Sequence, residues 1–251
     1  MAILKGLDQG HTIVPAALDW HKPIPRWAIF LLLTSLGLPK PAQTQAPTEP
    51  IFTAADAVLF GAAAGLYLAP GILGIDGRDT NCAPCDTADV PFFDRWAVTE
   101  PRGALSDVSS GLVAALAAGT WWSLATRGPA GRRNVVASAQ SAALATGLSV
   151  AIQEIVGRDR PVFYTNAPGD VDPAETRPSF PSGHTAVAFA LASSYVLSGA
   201  APNDAAKIAA VAAATVVAAL RVASGRHFPS DVAGGAVIGV GSALLVHSIR
   251  F

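Results

Sequence analysis

The stretch Ile208-Ala209-Ala210-Val211-Ala212-Ala213-Ala214-Thr215-Val216-Val217-Ala218-Ala219-Leu220 decides the fold. It belongs to an apolar run over 205–223 that is far longer than an ordinary strand, lacks the alternation of a half-buried strand, and is dominated by Ala, the strongest helix former. Five further segments read the same way, over about 53–75, 106–126, 133–156, 184–200 and 231–249. The expected fold class is all-α, a six-helix bundle. Ser106 and Asp107 are expected to cap the second helix, Gly128-Pro129 to end it, and Pro202 to close the approach to the fifth. No linker divides the chain after about residue 50, so one helical domain over 47–251 follows a leader over 1–46.

Composition limits what such a bundle can do. The 251 residues are 51% hydrophobic and 14% charged, with a mean hydropathy of +0.41, although much of this comes from Ala, which is nearly neutral between water and lipid. A net charge of −1 gives no basic field to hold nucleic acid, and that class of partner is excluded. Segments near twenty residues can cross a bilayer, in which case Asp56, Gln140, Gln153 and Glu154 must face the bundle interior. The connection 127–133 carries Arg127, Arg132 and Arg133 and would lie in the cytoplasm. With six spans, the Cys82 loop, the 157–183 loop and the 221–230 loop then fall outside together. A soluble periplasmic bundle is the alternative, with the arginines acting as C-terminal helix caps.

The leader has the parts of a secretory signal: Arg26, an apolar core from Trp27 to about Leu38, and a small-residue cleavage site after Ala46. Cleavage there would leave residue 47 outside, whereas the arginine rule starts the first span from inside, so the two expectations conflict. The Pro/Thr/Gln-containing stretch 39–50 reads as a spacer. Cys82 and Cys85 are too few for a zinc site and lie in no redox-motif context, so they are expected to form a disulfide that pins one extracytoplasmic loop.

Three islands in the last hundred residues carry the chemistry: Arg160-Pro161, then Pro181-Ser182-Gly183-His184, then Arg221 with His227 and Asp231. Phosphoryl transfer asks mainly for neutralisation of phosphate oxygens and alignment of attacking and leaving atoms. Arg160 and Arg221 are planar forks suited to phosphate. Ser182 is expected to cap the next helix, whose free N–H groups make an anion seat, and Gly183 would let the oxygens approach closely. His184 stands at its rim, where, protonated, it can give a proton to a leaving alkoxide. Asp231, four residues after His227, can hold one ring nitrogen and turn the other toward phosphorus. No metal or other cofactor is called for, and His11, His21 and His247 show no ligand spacing.

In this order the islands resemble the phosphatidic acid phosphatase type 2 and vanadium haloperoxidase superfamily, over about residues 150–251. The resemblance implies that His227 is the nucleophile of a phosphohistidine intermediate, that Asp231 orients it, and that His184 is the acid for the leaving group. It also implies that Arg160, Ser182, Gly183 and Arg221 hold the phosphate. Two positions depart from the pattern. Leu220 replaces a Ser, and Gln153 stands where the family has its phosphate-binding Lys, so one positive charge is missing unless Arg158 supplies it; Gln153 itself can still donate hydrogen bonds. The expected activity is a metal-independent phosphatase for a phosphate monoester or pyrophosphate, of a lipid or of a small ester. The expected location is a bacterial inner membrane with the site facing the periplasm. A nonspecific periplasmic acid phosphatase, a vanadate-dependent haloperoxidase and a non-catalytic relative that lost turnover through Gln153 are the alternatives.

Overall fold

The computed structural model describes residues 50–75, 82, 84–165 and 177–251. The leader 1–46 and its cleavage site lie outside the described residues. Among the described residues are six α-helices and no strand: α1 (Ala54–Leu73), α2 (Gly103–Ala125), α3 (Gly128–Val156), α4 (Gly183–Leu197), α5 (Asp204–Ala223) and α6 (Pro229–Arg250). Short 3-10 turns occur at Thr87–Asp89, Arg95–Ala97 and Pro161–Tyr164. The all-α expectation therefore holds.

Local chemistry sets the boundaries. Thr53 and Asp56 form a reciprocal capping box at the start of α1, and the Asn203 side chain accepts from the Ala206 N–H at the start of α5. These contacts satisfy donors that the first helical turn leaves open. Three expectations are corrected. Ser106 and Asp107 do not cap α2, which begins at Gly103, so both lie within its first turns. Gly128-Pro129 does not end that helix; it opens α3, because a proline in a first turn forfeits no helical hydrogen bond. Arg132 and Arg133 consequently belong to the start of α3 and are not C-terminal caps.

The short helix α4 is the hub, packing on α2, α3, α5 and α6, while α1 leans chiefly on α3. Its buried inner positions are mostly Ala, including Ala186, Ala188, Ala190 and Ala192, which lets neighbouring backbones come close. A methyl group added at Gly239 of α6 would collide with the Ala186 carbonyl, and one at Gly235 would collide with the Ser182 carbonyl. Gly147 of α3 meets the Ala63 carbonyl of α1 in the same manner. Small residues spaced by four build such seams where lipid supplies no hydrophobic drive between helices. Polar pairs add to them, as in Trp121 Nε1 donating to Ser138 Oγ at 3.1 Å.

Large apolar residues lie on the outer faces, and many polar ones lie in the core. Ile72, Leu73, Trp122, Ile208 and Val237 are exposed, whereas Ser138, Gln140, Ser141 and Thr185 are fully buried. This inside-out distribution suits a hydrocarbon solvent. Five of the described helices are long and apolar enough to cross a bilayer. The expectation of six spans of about twenty residues is corrected at α4, whose 15 residues reach only about 22 Å. Wrapped by four other helices, α4 has no need of a full-length lipid-facing surface. Asp56, Gln140 and Gln153 are buried, as a membrane reading requires, and Glu154 is half-buried.

Candidate active site

One end of the bundle gathers the end of α3, the starts of α2, α4 and α6, and the end of α5. A cavity of about 610 Å³ opens there. Arg160, Gly183, His184, Arg221 and His227 all line it, although they come from three separate stretches of sequence. The close α4–α6 seam at Gly235 brings the His184 turn against the turn that carries His227. Gly225, with φ +69°, allows that second turn: its α-carbon faces the carbonyls of Thr99 and Glu100, and a side chain there would be both strained and crowded.

His227 is fully buried, and its Nδ1 lies 2.9 Å from the Ser179 carbonyl. A carbonyl only accepts, so Nδ1 carries the proton and Nε2 keeps a lone pair. Asp231 was expected to make this contact, but its Oδ2 is 3.6 Å from Nδ1. That oxygen instead accepts the Phe228 N–H at 2.8 Å, closing the start of α6. Asp231 therefore stands behind the ring as a nearby charge, and the carbonyl sets the tautomer. Burial pushes His227 down to about 3, opposed by Asp231 and reinforced by Arg160 and Arg221. His227 is thus a neutral ring near pH 7.

His184 occupies the first turn of α4, and its Nε2 is 3.1 Å from Ser110 Oγ of α2. Burial, then the charges of Arg221 and Arg160, lower it to about 4. An anion between these arginines would oppose the electrostatic part of that shift and favour the protonated ring.

The guanidinium groups are braced rather than loose. Arg160 donates from Nε to the Arg177 carbonyl at 2.8 Å and from Nη1 to the Arg226 carbonyl at 3.1 Å. Arg221 donates from Nη1 to Ser106 Oγ at 2.9 Å and to Ser109 Oγ at 3.3 Å. Its Nε is buried with no hydrogen-bond partner among the described residues, and so is Ser149 Oγ on the cavity wall. At Gly183 the nearest atom to an added methyl group would be 4.0 Å away, so the glycine leaves cavity space beside the α4 N-terminus.

Three expected residues are placed otherwise. Ser182 holds the N-cap position but makes no side-chain cap bond. Its hydroxyl accepts from Thr185 Oγ1 at 3.0 Å, and it is fully buried away from the cavity wall. Gln153 lines the cavity, yet its amide donates to the Pro181 carbonyl at 2.7 Å. Arg158 does not replace the missing charge, because its guanidinium points to Asp94 and Asp231. Arg177 and Arg226 do line the cavity, and sequence reasoning singled out neither. It read Ser106 only as a helix cap and singled out neither Ser109 nor Ser110, although a Ser106, Ser109, Ser110 cluster inside an apolar helix was a visible signal. Among the described residues no group of three His, Cys, Asp or Glu is placed to hold a metal. Cys82 and Cys85 form a disulfide.

The family model of the PAP2 superfamily matches residues 134–251, which bears out the resemblance carried by the motifs. A solved structure described as the first transmembrane PAP2-type phosphatidylglycerolphosphate phosphatase, from Bacillus subtilis, is 22% identical, with 78% of this chain and 96% of that chain covered and a TM-score of 0.43. No curated protein matches the chain.

Proposed function

Taking as premise that residues 134–251 are a PAP2-superfamily segment, we propose that the protein is a membrane phosphatase that cleaves a phosphate monoester or pyrophosphate of a lipid through His227. The observation that carries this reading is the meeting of His184 and His227 on one cavity wall with Arg160, Arg177, Arg221 and Arg226. Substrate phosphate binds among the guanidinium groups and the N–H groups at the start of α4. His227 Nε2 attacks phosphorus, the bond from phosphorus to the bridging oxygen breaks, and the His184 proton goes to that oxygen, releasing an alcohol from a monoester or a lipid monophosphate from a pyrophosphate. In the second half, neutral His184 takes a proton from water and the hydroxide attacks phosphorus. The phosphorus–nitrogen bond breaks, its electrons return to Nε2, and inorganic phosphate leaves. No step in this scheme draws on a metal ion.

The exposed apolar helix faces support a lipid environment. Arg127, Arg132 and Arg133 lie where α2 ends and α3 begins, the bundle end opposite the cavity. The positive-inside rule then puts the cavity on the outer, periplasmic side together with the disulfide. Phosphate release from phosphatidate, an isoprenyl pyrophosphate and a soluble aryl phosphate tests the reading. Hydrolysis of a lipid substrate by protein that requires detergent for extraction is expected. Release into the periplasmic fraction without detergent, with activity on the aryl ester alone, would reassign it as a soluble acid phosphatase.

A further inference from the structure

Behind His227 lies a charged cluster that the scheme above does not use. Asp94 belongs to the connection between α1 and α2, outside the family-matched residues, and is fully buried. Its Oδ2 accepts from Arg158 Nη2 at 2.8 Å and from Ser230 Oγ at 2.5 Å, and its Oδ1 accepts the Ser230 N–H at 3.0 Å. The other arm of Arg158 donates to Asp231 Oδ1 at 2.7 Å and to Ser230 Oγ at 2.6 Å. The guanidinium also lies 4.2 Å from the centroid of the Phe228 ring. Two buried carboxylates thus share one guanidinium, and the cluster keeps one net negative charge. Clamping the connection to α6 would need no such excess, since a neutral pair does that without leaving a charge uncompensated in a low dielectric.

We propose that Asp94 is a positioning residue: by taking half of Arg158, it leaves Asp231 with negative charge to support His227 when the ring carries the phosphoryl group. The proposal rests on the phosphatase reading of this cavity. With Nδ1 protonated and Nε2 bonded to phosphorus, the imidazole becomes cationic, and the negative group behind it is Asp231. The other charged or titratable groups on the cavity wall with the ring include Arg160 after α3, Arg177 before α4, Arg221 at the end of α5, Arg226 next to His227, His184 on α4 and Asp107 on α2. The arginines oppose a cationic ring. Without Asp94, Arg158 would pair with Asp231 alone, and the support for His227 would become a neutral pair.

Charge arithmetic gives a test that a merely structural role cannot imitate. Asp94→Asn makes the cluster neutral, Arg158→Gln makes it doubly negative, and the double variant restores a single negative charge. We expect Asp94→Asn to lower kcat about tenfold or more with little change in KM. The acid limb of the rate profile, where His227 must lose its proton, should move to lower pH. In the double variant the limb should return toward its original position and part of the lost kcat should be regained, a strongly non-additive outcome. A double variant as slow as the product of the single losses, or an unmoved limb in Asp94→Asn, overturns the proposal. Should Asp94→Asn fail to fold, Arg158→Gln alone must shift the limb upward, and a limb that stays or falls overturns it. Vanadate affinity, measured against pH in the same set, reads the ring without turnover. A wild-type protein that binds vanadate with this variant order but cleaves no ester would remove the phosphatase reading while upholding the part of the proposal in which Asp94 sets the charge behind His227.

Discussion

Two buried ionic clusters sit at opposite ends of the bundle, and one of them faces the cavity of about 610 Å³. At the far end, Asp56 of α1, Gln140 of α3 and Arg250 of α6 close on one another: Arg250 pairs with Asp56 and donates to Gln140 Oε1 at 2.9 Å, while Gln140 Nε2 donates to Asp56 Oδ1 at 3.0 Å. Asp231 and Arg250 are about 28 Å apart along α6 at the helical rise. The far cluster balances one carboxylate against one guanidinium across three helices. At the near end Arg160, Arg177, Arg221 and Arg226 line a cavity, and the Asp94 and Asp231 carboxylates are withdrawn behind His227. Buried charge by itself therefore does not mark a site. What separates the two clusters is an uncancelled charge beside open space.

The sharpest way to break this contrast is to remove one group from each end. His227→Ala should lower turnover by roughly four orders of magnitude and abolish the acid-labile phosphoenzyme, with the melting temperature in detergent almost unchanged. Residual turnover near the wild-type rate would end the mechanism. Asp56→Ala should do the reverse, costing about 3 kcal/mol because Arg250 is left buried without its partner. A thermal melt should show the loss, while kcat per folded molecule should hold. A fall in kcat as large as that of a cavity residue would show that the far cluster is more than a clasp.

Smaller effects sharpen the same contrast. Gln153→Lys should raise kcat/KM, by about tenfold if a transition-state charge is missing. An unchanged or lower rate would mean that the hydrogen bond from Gln153 to the Pro181 carbonyl matters more than an added charge. The pH dependence follows from the two lowered histidines. Their folded values, about 3 for His227 and about 4 for His184, lie below the ordinary 6.5, so the unfolded chain binds more protons. Stability is fully present above pH 6.5 and should be lost as pH falls toward 3, and a melting series without phosphate checks this sign. Vanadate or phosphate should bind with proton uptake near pH 5.5, read by calorimetry in buffers of different ionisation enthalpy. Binding without uptake would show that the anion does not reach the histidines. Last, Ser110→Ala should change kcat only a few-fold, since the hydroxyl touches His184 Nε2 where a leaving oxygen would take its place.

Helix number and type were legible because long Ala-rich runs leave little else to form. Boundaries were less so: Gly128-Pro129 reads equally well as a stop or a start, and the start prevailed because Pro tolerates a first turn. In the site, the two histidines and the arginines Arg160 and Arg221 could be named from spacing. Arg177 and Arg226 could not, since their relevance depends on which elements meet. Asp231 was legible as a partner of His227 from its four-residue spacing, but backbone geometry gave the hydrogen bond to the Ser179 carbonyl.

The sequence alone determined an all-helical chain with polar groups embedded in apolar segments, two imidazoles and at least two guanidinium groups suited to phosphate. Local periodicity and residue chemistry suffice for that. Tertiary structure alone decided that α4 is a short buried hub, that Arg158 is divided between Asp94 and Asp231, and that Gln153 turns to a carbonyl beside the cavity. These outcomes depend on the close approach of α4 and α6 at Gly235 and Gly239. A contact between distant residues is set by backbone separation, which the sequence encodes only through the packing of both helices at once.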